Sequence, residues 1–413
     1  MKHMLILGAG TGGTIMANLL AKHLPPAAWD LTVIDGDMDH YYQPGFLFVP
    51  FGMYTKEQVR RPKADYLPRR AQFIAENAVF IDAKAQQITL AGGQTLPYDV
   101  LVIASGCTIA MDETPGMLDG YGKTIFDFYT YEGALSLASV LPSFTGGSIV
   151  MHVNEMPIKC PIAPLEFIFL ADWYFSRKKI RNDVRITFVT PLSGAFTKPI
   201  AAKMLGSLIE KKHIDIVADF GTERIDADAK KLIGYNGREI PYDMLVTVPT
   251  NKGSEVIERS GLGDDLRFVP TDNNTLVSKQ FPNVFVIGDA TNVPASKAGS
   301  VVHFEAETVL ENILHFITGV PLAPSFDGHA NCFIETGYGK GILIDFNYEQ
   351  EPVPGLFPLP IGPLTLLSES PLNHFGKLAF EWIYWNMLLK GIPIPFIPRR
   401  MSRAGKQFPA VQK

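Results

Sequence analysis

Short apolar runs separated by glycine-rich turns and helical stretches mark the start of the chain. Residues 4–7 form a continuous apolar run, which predicts a buried parallel strand. A glycine-rich turn and a helical stretch over about residues 14–24 follow, and a second apolar run covers residues 31–35. A strand, a helix and a second strand in this order form a βαβ unit, so the pattern predicts an α/β fold.

One strand pattern occurs twice along the chain. Residues 94–106 and residues 238–250 each place a turn and the tripeptide Pro-Tyr-Asp before a buried strand. A third apolar strand, within residues 281–290, ends in Gly288 and Asp289. Two copies of one unit predict two related nucleotide-binding domains in tandem.

The turn after the first strand has the spacing of a dinucleotide-binding loop. The first glycine of such a loop makes the turn, the second lets a pyrophosphate approach the backbone, and the third lets the helix pack on the strand. An acidic residue about 20 positions further on binds the ribose hydroxyls, and Asp35 ends the second strand at that distance. The predicted contacts of this unit are Gly8, Gly10, Thr11, Gly12, Gly13 and Asp35.

The second domain lacks such a loop. Its first strand, residues 148–153, is followed by residues 154–164, which contain three prolines and no glycine. Side chains at these positions block the close approach of a pyrophosphate, and proline removes backbone donors. We therefore expect no nicotinamide cofactor in this domain.

Composition and charge exclude several other classes of protein. The chain has 413 residues, of which 46% are hydrophobic and 19% charged, as in globular proteins of two or three domains. A net charge of −5 argues against a nucleic-acid partner. No apolar run reaches the ~20 residues of a transmembrane helix, and we expect no signal peptide. Three cysteines are too few for a disulfide-built fold, and no residue spacing indicates a metal site.

Two of the cysteines lie where chemistry is expected. Cys160 replaces the missing phosphate loop, follows Lys159 and precedes a helix start near Pro164. A neighbouring cation and a helix N-terminus both favour the nucleophilic thiolate. Cys332 precedes an apolar strand over residues 341–348, and both cysteines are predicted to lie in loops. The alternative for each is an inert thiol buried in the core.

The C-terminal segment combines apolar and basic residues. Residues 375–389 are too short to span a bilayer and too apolar all round for a surface helix, and they contain two of the four tryptophans. Residues 373–413 carry seven lysines and arginines against one glutamate, including a basic group at 399–406. This combination predicts an interfacial membrane anchor, and a helix packed in a dimer interface is the alternative. Because every nucleotide motif lies before residue 373, the tail is expected to be dispensable for cofactor binding.

The motifs together resemble the flavoprotein disulfide reductase superfamily, which has two dinucleotide-binding domains. In that superfamily the first glycine loop binds the ADP half of FAD. Residues 104–106, Ala-Ser-Gly, are similar to the Ala-Thr-Gly that lies beside the flavin there. Gly288 and Asp289 are similar to the motif whose aspartate binds the ribityl chain.

Within the superfamily, the chain resembles the sulfide:quinone oxidoreductase branch. Residues 159–164, Lys-Cys-Pro-Ile-Ala-Pro, and residues 332–340, Cys-Phe-Ile-Glu-Thr-Gly-Tyr-Gly-Lys, are similar to its two redox-cysteine motifs. Residues 41–45, Tyr-Tyr-Gln-Pro-Gly, are similar to the segment that passes the flavin. The resemblance covers the whole chain.

The resemblance implies that sulfide is oxidised to polysulfide or sulfur at a pair formed by Cys160 and Cys332, and that FAD passes the electrons to a membrane quinone. Cys332 would face the flavin, and Glu166 would be the base for sulfide, with a solvated helix-end carboxylate as the alternative. FAD is expected to be non-covalent, because residues 120–130 lack the cysteine that some relatives use. The further implied cofactor contacts are Gly36, Gln43, Ser105, Gly106, Gly288, Asp289, Lys297, His303 and Lys340, and the implied quinone contacts are Phe333 and Phe375.

The expected architecture is α/β, with two Rossmann-like dinucleotide-binding domains in tandem plus a C-terminal membrane-binding region. The FAD domain would comprise residues 1–110 and 245–325, the second domain residues 111–244, and the C-terminal region residues 326–413. The expected protein is monotopic on a membrane, its partners are sulfide, quinone and lipid, and homo-oligomerisation is left open.

Three alternative functions stay open. A flavocytochrome c-type sulfide dehydrogenase flavoprotein would need export. A type II NADH:quinone oxidoreductase-like enzyme would need the missing glycine loop. A redox-silent flavoprotein that serves as a sulfur-carrier platform would not need the two cysteines.

Overall fold

The computed structural model describes residues 1–408. Lys413, one of the basic residues counted in the tail, lies outside the described residues. The α-helices are α1 (Thr11–His23), α2 (Met117–Gly120), α3 (Tyr131–Val140), α4 (Ala163–Arg177), α5 (Pro199–Lys211), α6 (Glu255–Arg259), α7 (Gly299–Thr318) and α8 (Pro371–Ile383). Over residues 1–408, no helix is both long and apolar enough to cross a membrane.

The first sheet consists of five parallel strands. In spatial order they are Val284–Val286, Val100–Ile103, Lys2–Leu7, Trp29–Ile34 and Gln72–Ile74. Met4 and Ile6 pack into one hydrophobic cluster, whereas Leu5 and Leu7 pack into another. The strand is therefore covered on both faces, which is why its apolar run is continuous rather than alternating. The α/β prediction is confirmed.

The second sheet repeats this arrangement. In spatial order its strands are Ile125–Phe126, Met244–Val248, Gly147–Val153, Val184–Val189 and Asp215–Val217, and all neighbours are parallel. The two strands that follow Pro-Tyr-Asp occupy equivalent positions, because Val100–Ile103 pairs with the first strand of its sheet and Met244–Val248 with the first long strand of the other.

The predicted domain boundary at residue 245 is wrong. It assigned most of the strand Met244–Val248 to the FAD domain, but this strand pairs in parallel with Gly147–Val153 of the second sheet. Its five residues are all buried, which an inner position in that sheet provides. The chain returns to the first domain through Thr250–Gly253, which pairs with the outgoing segment Cys107–Ala110.

A third sheet forms the C-terminal region. Its strands, in spatial order, are Ala330–Gly337, Lys340–Phe346, Leu364–Leu366 and Gly355–Phe357. Cys332 lies inside the first of these strands, opposite Ile344 of the second. The prediction that Cys332 lies in a loop is therefore wrong.

Three small antiparallel sheets are inserted in the two domains that contain the parallel sheets. Asp39–Tyr41 pairs with Arg60–Pro62. Two three-stranded sheets comprise Ala78–Asp82 with Gln87–Leu90 and Thr95–Pro97, and Thr222–Asp226 with Lys231–Gly234 and Glu239–Pro241.

Helix α8 is amphipathic, contrary to the expectation of an all-round apolar segment. The Ser370 hydroxyl accepts a hydrogen bond from the Asn373 N–H at 3.1 Å, so the helix begins before residue 375. Leu372, Phe375 and Trp382 are 43, 63 and 62% exposed and form its outer face. This outer apolar face, together with the exposed Ile392 and Phe396 further along the tail, is the part of the predicted anchor that stays accessible.

The end of the predicted anchor belongs to the core. After α8 the chain forms a π-helical turn, Tyr384–Leu388. Trp385 is 1% exposed and Leu389 is fully buried, so neither can enter a lipid surface. The Trp385 ring packs on Tyr66 of the first domain, with 5.0 Å between ring centroids. Trp385 and Leu389 are therefore buried by packing against the protein rather than by insertion into a membrane.

Most of the basic residues at 399–406 also have partners within the protein. Lys406 forms a buried ion pair with Asp345, Arg399 pairs with Glu311 at 2.7 Å, and Arg400 donates to backbone carbonyls of residues 324 and 325. These side chains attach the tail to the domain. The expectation that they face an anionic lipid surface is wrong for Lys406 and Arg399.

Candidate functional site

The dinucleotide loop is shaped by close backbone approaches. Gly8 has a φ of +96°, and a Cβ there would lie 2.4 Å from the Ala104 carbonyl oxygen. A Cβ on Gly13 would lie 1.8 Å from the Gly8 carbonyl oxygen, whereas one on Gly10 would meet nothing within 4 Å. Gly8 and Gly13 therefore allow helix and strands to pack closely, and Gly10 leaves an open approach to the backbone.

Asp35 lies at the end of the second strand beside this loop. Its carboxylate accepts a hydrogen bond from the Ala9 N–H at 2.7 Å and pairs with Lys63 at 2.9 Å. Lys63 is a buried cation that the sequence reasoning missed, and only its place after a short strand distinguishes it from other lysines. A Cβ on the neighbouring Gly36 would collide with Asn77, so this glycine serves local packing rather than the cavity.

One interior cavity collects most of the predicted site residues. It lies between the two sheets and the C-terminal region, and Phe128, Tyr129, Lys377 and Phe380 line it in addition to predicted residues. The predicted residues along its wall are Gly8, Gly10, Thr11, Gly12, Asp35, Gln43, Ser105, Gly106, Cys160, Glu166, Gly288, Asp289, Lys297, Cys332 and Phe333.

Three predicted residues besides the packing glycines do not line this cavity. Both ring nitrogens of His303 are buried without a partner among residues 1–408, and burial lowers its pKa to about 3. Lys340 borders a separate polar cleft with Tyr338. Phe375 is 63% exposed on the outer face of α8. The expectation that His303 and Lys340 contact the cofactor is wrong for this cavity, and the predicted quinone contact Phe375 lies outside the cavity wall.

The cavity wall near Gly106 contains a polar group without a partner. The Ser105 hydroxyl is buried and makes no hydrogen bond within residues 1–408. A buried hydroxyl of this kind fits a polar ligand that is part of the functional protein. Together with the open approach at Gly10, it indicates that the residues present fit FAD.

A buried carboxylate supports the Gly-Asp motif. Glu305 accepts a hydrogen bond from the Gly288 N–H at 2.6 Å, and burial raises its pKa to about 7. Lys297 donates to the Asp289 carbonyl oxygen at 3.0 Å, and burial lowers the pKa of this lysine. Sequence reasoning missed Glu305, although its position in α7 shortly after the motif was visible.

The loop that carries Cys160 crosses to the first domain instead of surrounding a phosphate. The Cys160 N–H donates to the Lys297 carbonyl oxygen at 2.8 Å, and the Lys159 N–H donates to the Asn251 side chain at 3.0 Å. Cys160 itself has a φ of +76°. The loop thereby places Cys160 on the wall of the cavity.

The two redox candidates are free thiols in the same cavity. Burial raises the pKa of Cys160 to about 12 and also raises the pKa of Cys332. The expected low thiol pKa of Cys160 is therefore wrong, since desolvation outweighs the helix N-terminus and the nearby charge. The cation that acts on both thiols is Lys377, not Lys159.

Lys377 joins the C-terminal helix to the cysteines. Its ammonium group pairs with Glu166 at 2.8 Å and donates to the Phe333 carbonyl oxygen at 3.2 Å. Glu166 is 1% exposed and also accepts the Glu335 N–H at 2.7 Å, so it is not a solvated helix-end carboxylate. The sequence signal for Lys377 is a single lysine within an apolar segment, which from sequence counts only among the basic residues of the predicted membrane anchor.

The third cysteine, Cys107, lines the same cavity. The Cys107 sulfur lies 3.8 Å from an Asp289 carboxylate oxygen and 3.7 Å from the Asn251 side-chain oxygen. Burial and the neighbouring carboxylate raise its pKa to about 12. This environment keeps the thiol protonated, which is consistent with a structural residue.

Comparisons with known proteins first define the class. The family described as pyridine nucleotide-disulphide oxidoreductase matches residues 2–141, which include the glycine loop, four of the five strands of the first sheet and α3. Residues 2–141 thus resemble the dinucleotide-binding part of this family, and the mixed α/β fold described above agrees with that class.

The comparisons then point to one branch of that class. The mitochondrial sulfide:quinone oxidoreductase of Dictyostelium discoideum is 26% identical over 94% of this chain and 86% of its own length. The corresponding protein of Schizosaccharomyces pombe is 26% identical over 94% of this chain and 90% of its own. The sulfide:quinone oxidoreductase structure from Aquifex aeolicus has a TM-score of 0.80 over 95% of this chain and 92% of its own, at 22% identity, which shows a shared fold. The resemblance predicted from the cysteine motifs is confirmed.

Proposed function

We propose that this chain is an FAD-dependent sulfide:quinone oxidoreductase. The observation that carries the proposal is the single cavity in which Cys160, Cys332 and Lys377 meet the dinucleotide loop. The named relatives oxidise sulfide with quinone, as their names state, and they align over 94% of the chain. Two free thiols beside a dinucleotide site match this chemistry.

FAD would lie along the wall formed by the glycine loop, Asp35, Ser105 and the Gly-Asp motif at residues 288–289. When bound, it accepts two electrons and passes them to a quinone. The described cavity offers Cys107 as a further thiol, but residues 120–130 lack the cysteine that some relatives use to attach FAD covalently. We therefore propose non-covalent binding, so acid precipitation releases yellow flavin into the supernatant.

The two cysteines supply the sulfur chemistry. The two free thiols are first oxidised to a Cys160–Cys332 disulfide, with the two electrons and two protons passing to quinone. Hydrosulfide then attacks one sulfur of this disulfide, forms a new S–S bond and displaces the other cysteine as a thiolate. The thiolate and the new persulfide then join through a second S–S bond, which releases two electrons and one proton. Repetition lengthens the bridging sulfur chain, so the product is polysulfide or sulfur, and the quinone takes up the electrons and two protons as quinol.

Lys377 and Glu166 would stabilise the negative sulfur species and accept the proton in these steps. The Lys377 ammonium lowers the cost of a negative sulfur species in a cavity that otherwise raises the pKa of both thiols. Glu166, held by Lys377 at 2.8 Å, is placed to take the proton of hydrogen sulfide. The base role predicted for Glu166 is thus retained as a proposal, with Lys377 as its partner.

The quinone would enter beside the C-terminal helix. Phe333 and Phe380 line the cavity, whereas Phe375 and Trp382 lie on the outer face of the same helix that carries Phe380. A lipid-dissolved acceptor can reach the cavity if this outer face lies in the membrane boundary. We therefore propose monotopic attachment through the outer face of α8, with Phe375 at the entry rather than in the site.

The alternatives lack a supporting observation. The loop over residues 154–164 is bonded to the first domain by Lys159 and Cys160, which leaves no phosphate cradle for NADH. The outer apolar face of α8 favours a lipid-soluble acceptor over a haem protein. The meeting of both cysteines with Lys377 in one cavity disfavours a redox-silent carrier.

An anaerobic titration tests the proposal. Sulfide added to the purified holoprotein should bleach the flavin absorbance, and a soluble quinone should restore it. NADH at the same concentration should leave the absorbance unchanged. Rapid bleaching by NADH with none by sulfide would contradict the proposal and favour an NADH dehydrogenase.

A further inference from the structure

A tyrosine from the C-terminal segment reaches the dinucleotide loop. The Tyr384 hydroxyl lies 2.7 Å from the Thr11 hydroxyl and 2.7 Å from the His40 Nε2 atom. Tyr384 is fully buried and begins the π-helical turn that follows α8. π-Turns of this kind occur frequently at functional sites.

Thr11 is the polar side chain at the start of α1. It is the first residue of that helix and lines the cavity, whereas the preceding Gly10 provides no side-chain cap. The first backbone N–H groups of a helix are the usual partners of a diphosphate. The orientation of Thr11 therefore affects the geometry of the proposed cofactor site.

The hydrogen bonds of the Tyr384 hydroxyl to Thr11 and His40 fix the orientation of the Thr11 side chain. Burial lowers the pKa of His40 to about 3, so its ring is neutral and can share one hydrogen bond with the Tyr384 hydroxyl. A hydroxyl has one donor and two acceptor positions, so the Tyr384 group can bridge the ring and the threonine. The Tyr384 ring is held independently by Tyr42, with 4.8 Å between ring centroids.

The contact is part of a longer attachment along α1. Asn18 donates to the Leu389 carbonyl oxygen at 2.9 Å, and Lys22 donates to the Lys390 carbonyl oxygen at 2.6 Å. The C-terminal segment thus follows α1 from its first turn to its last. The expectation that the tail is dispensable for cofactor binding is therefore not supported by these contacts.

We propose that Tyr384 is a positioning residue of the FAD site, which holds Thr11 and the first turn of α1 for the diphosphate. The inference rests on the FAD binding proposed above and adds a C-terminal residue to a site whose sequence motifs all lie before residue 290. It also makes the continuous helical segment 371–388 a shared element, which carries Phe375 on its outer face, Lys377 on its inner face and Tyr384 in the π-helical turn.

The test is an FAD titration of the full-length apoprotein, followed by flavin fluorescence. Tyr384→Phe keeps the ring and removes only the hydroxyl, and loss of one such hydrogen bond corresponds to a roughly three- to tenfold weaker FAD affinity. Tyr66→Phe is the matched control, because Tyr66 packs on the same Trp385 and its hydroxyl contacts Arg61 rather than Thr11. Its FAD affinity should equal that of the wild type.

A double-mutant comparison separates positioning from general loosening. Thr11→Val should weaken FAD binding by a similar factor, and adding Tyr384→Phe to it should have little further effect. Unchanged affinity in Tyr384→Phe, or equal weakening in Tyr66→Phe, would overturn the inference. If the wild type itself binds no FAD, the proposed function fails instead, so the two failures are distinguishable.

Discussion

Replacing Lys377 by methionine removes the cation that the C-terminal helix α8 contributes to the cavity of the two cysteines. Lys377 pairs with Glu166 at 2.8 Å, and the two side chains are 11 and 1% exposed. Breaking a buried ion pair by removing one partner costs about 3–5 kcal/mol, because the other charge stays buried. We expect Lys377→Met to lower the free energy of unfolding in urea by an amount in this range.

A charge-balanced variant separates stability from chemistry. Glu166→Gln combined with Lys377→Met leaves neither charge of the pair buried, and glutamine can still accept the Glu335 N–H. The double variant should regain most of the stability but stay slow in sulfide-driven flavin reduction. Lys390→Met, at an exposed lysine of the same segment, is the control and should change neither property.

The pH dependence of flavin reduction gives a second readout. Burial raises the pKa of the Cys160 thiol to about 12, and Lys377 acts in the opposite direction. Without the cation the thiol pKa rises further, so the thiolate fraction at a given pH falls. The rate in Lys377→Met should therefore rise only at higher pH than in the wild type. An unchanged pH profile together with unchanged stability would refute the assigned role of Lys377.

Two further predictions follow from other buried or exposed groups. Glu305 has a pKa of about 7 in the folded protein against an ordinary value of 4.5. Its contribution to stability is therefore fully present below pH 4.5 and is lost as the pH rises through about 7. Glu305→Gln, which can still accept the Gly288 N–H, should remove roughly 3 kcal/mol of that pH-dependent loss, as measured by urea unfolding of the apoprotein between acidic and mildly alkaline pH. Replacing both Phe375 and Trp382 by serine should release the protein from phospholipid vesicles, since each exposed side chain gains about 1.5–3 kcal/mol on full burial. Tyr235→Ser, at a 77% exposed position of the second domain, should leave vesicle sedimentation unchanged, and equal losses in both variants would contradict a specific face.

Much of the first domain was predictable because its signals are local. The apolar run at Met4–Leu7, the glycine turn and Asp35 lie within one βαβ unit, whose spacing is fixed by backbone geometry. The cysteine motifs were also local, and the structure brings Cys160 and Cys332 to one cavity. Their pKa direction was not predictable, because desolvation depends on the surrounding domains rather than on the neighbours in sequence.

The C-terminal segment shows why the rest was not predictable. Trp385 and Trp382 are both apolar residues of one helical stretch, yet one is buried against the first domain and the other is 62% exposed. Lys377 and Lys406 contribute to the basic composition that predicts a membrane-facing surface. In the structure, each pairs with a buried carboxylate from a distant part of the chain. Periodicity shows that a segment has faces, whereas the partner of each face depends on tertiary packing.

Anaerobic rapid mixing of cysteine variants with sulfide tests the central claim, that Cys160 and Cys332 act as one redox pair. Cys332→Ser should abolish flavin bleaching, Cys160→Ser should slow turnover severely, and the double variant should be little worse than either single one, because residues acting as a unit are not additive. Cys107→Ser, which alters the remaining thiol, should bleach at nearly the wild-type rate. Wild-type rates of sulfide-driven bleaching and quinone reduction in either Cys160→Ser or Cys332→Ser would contradict the account.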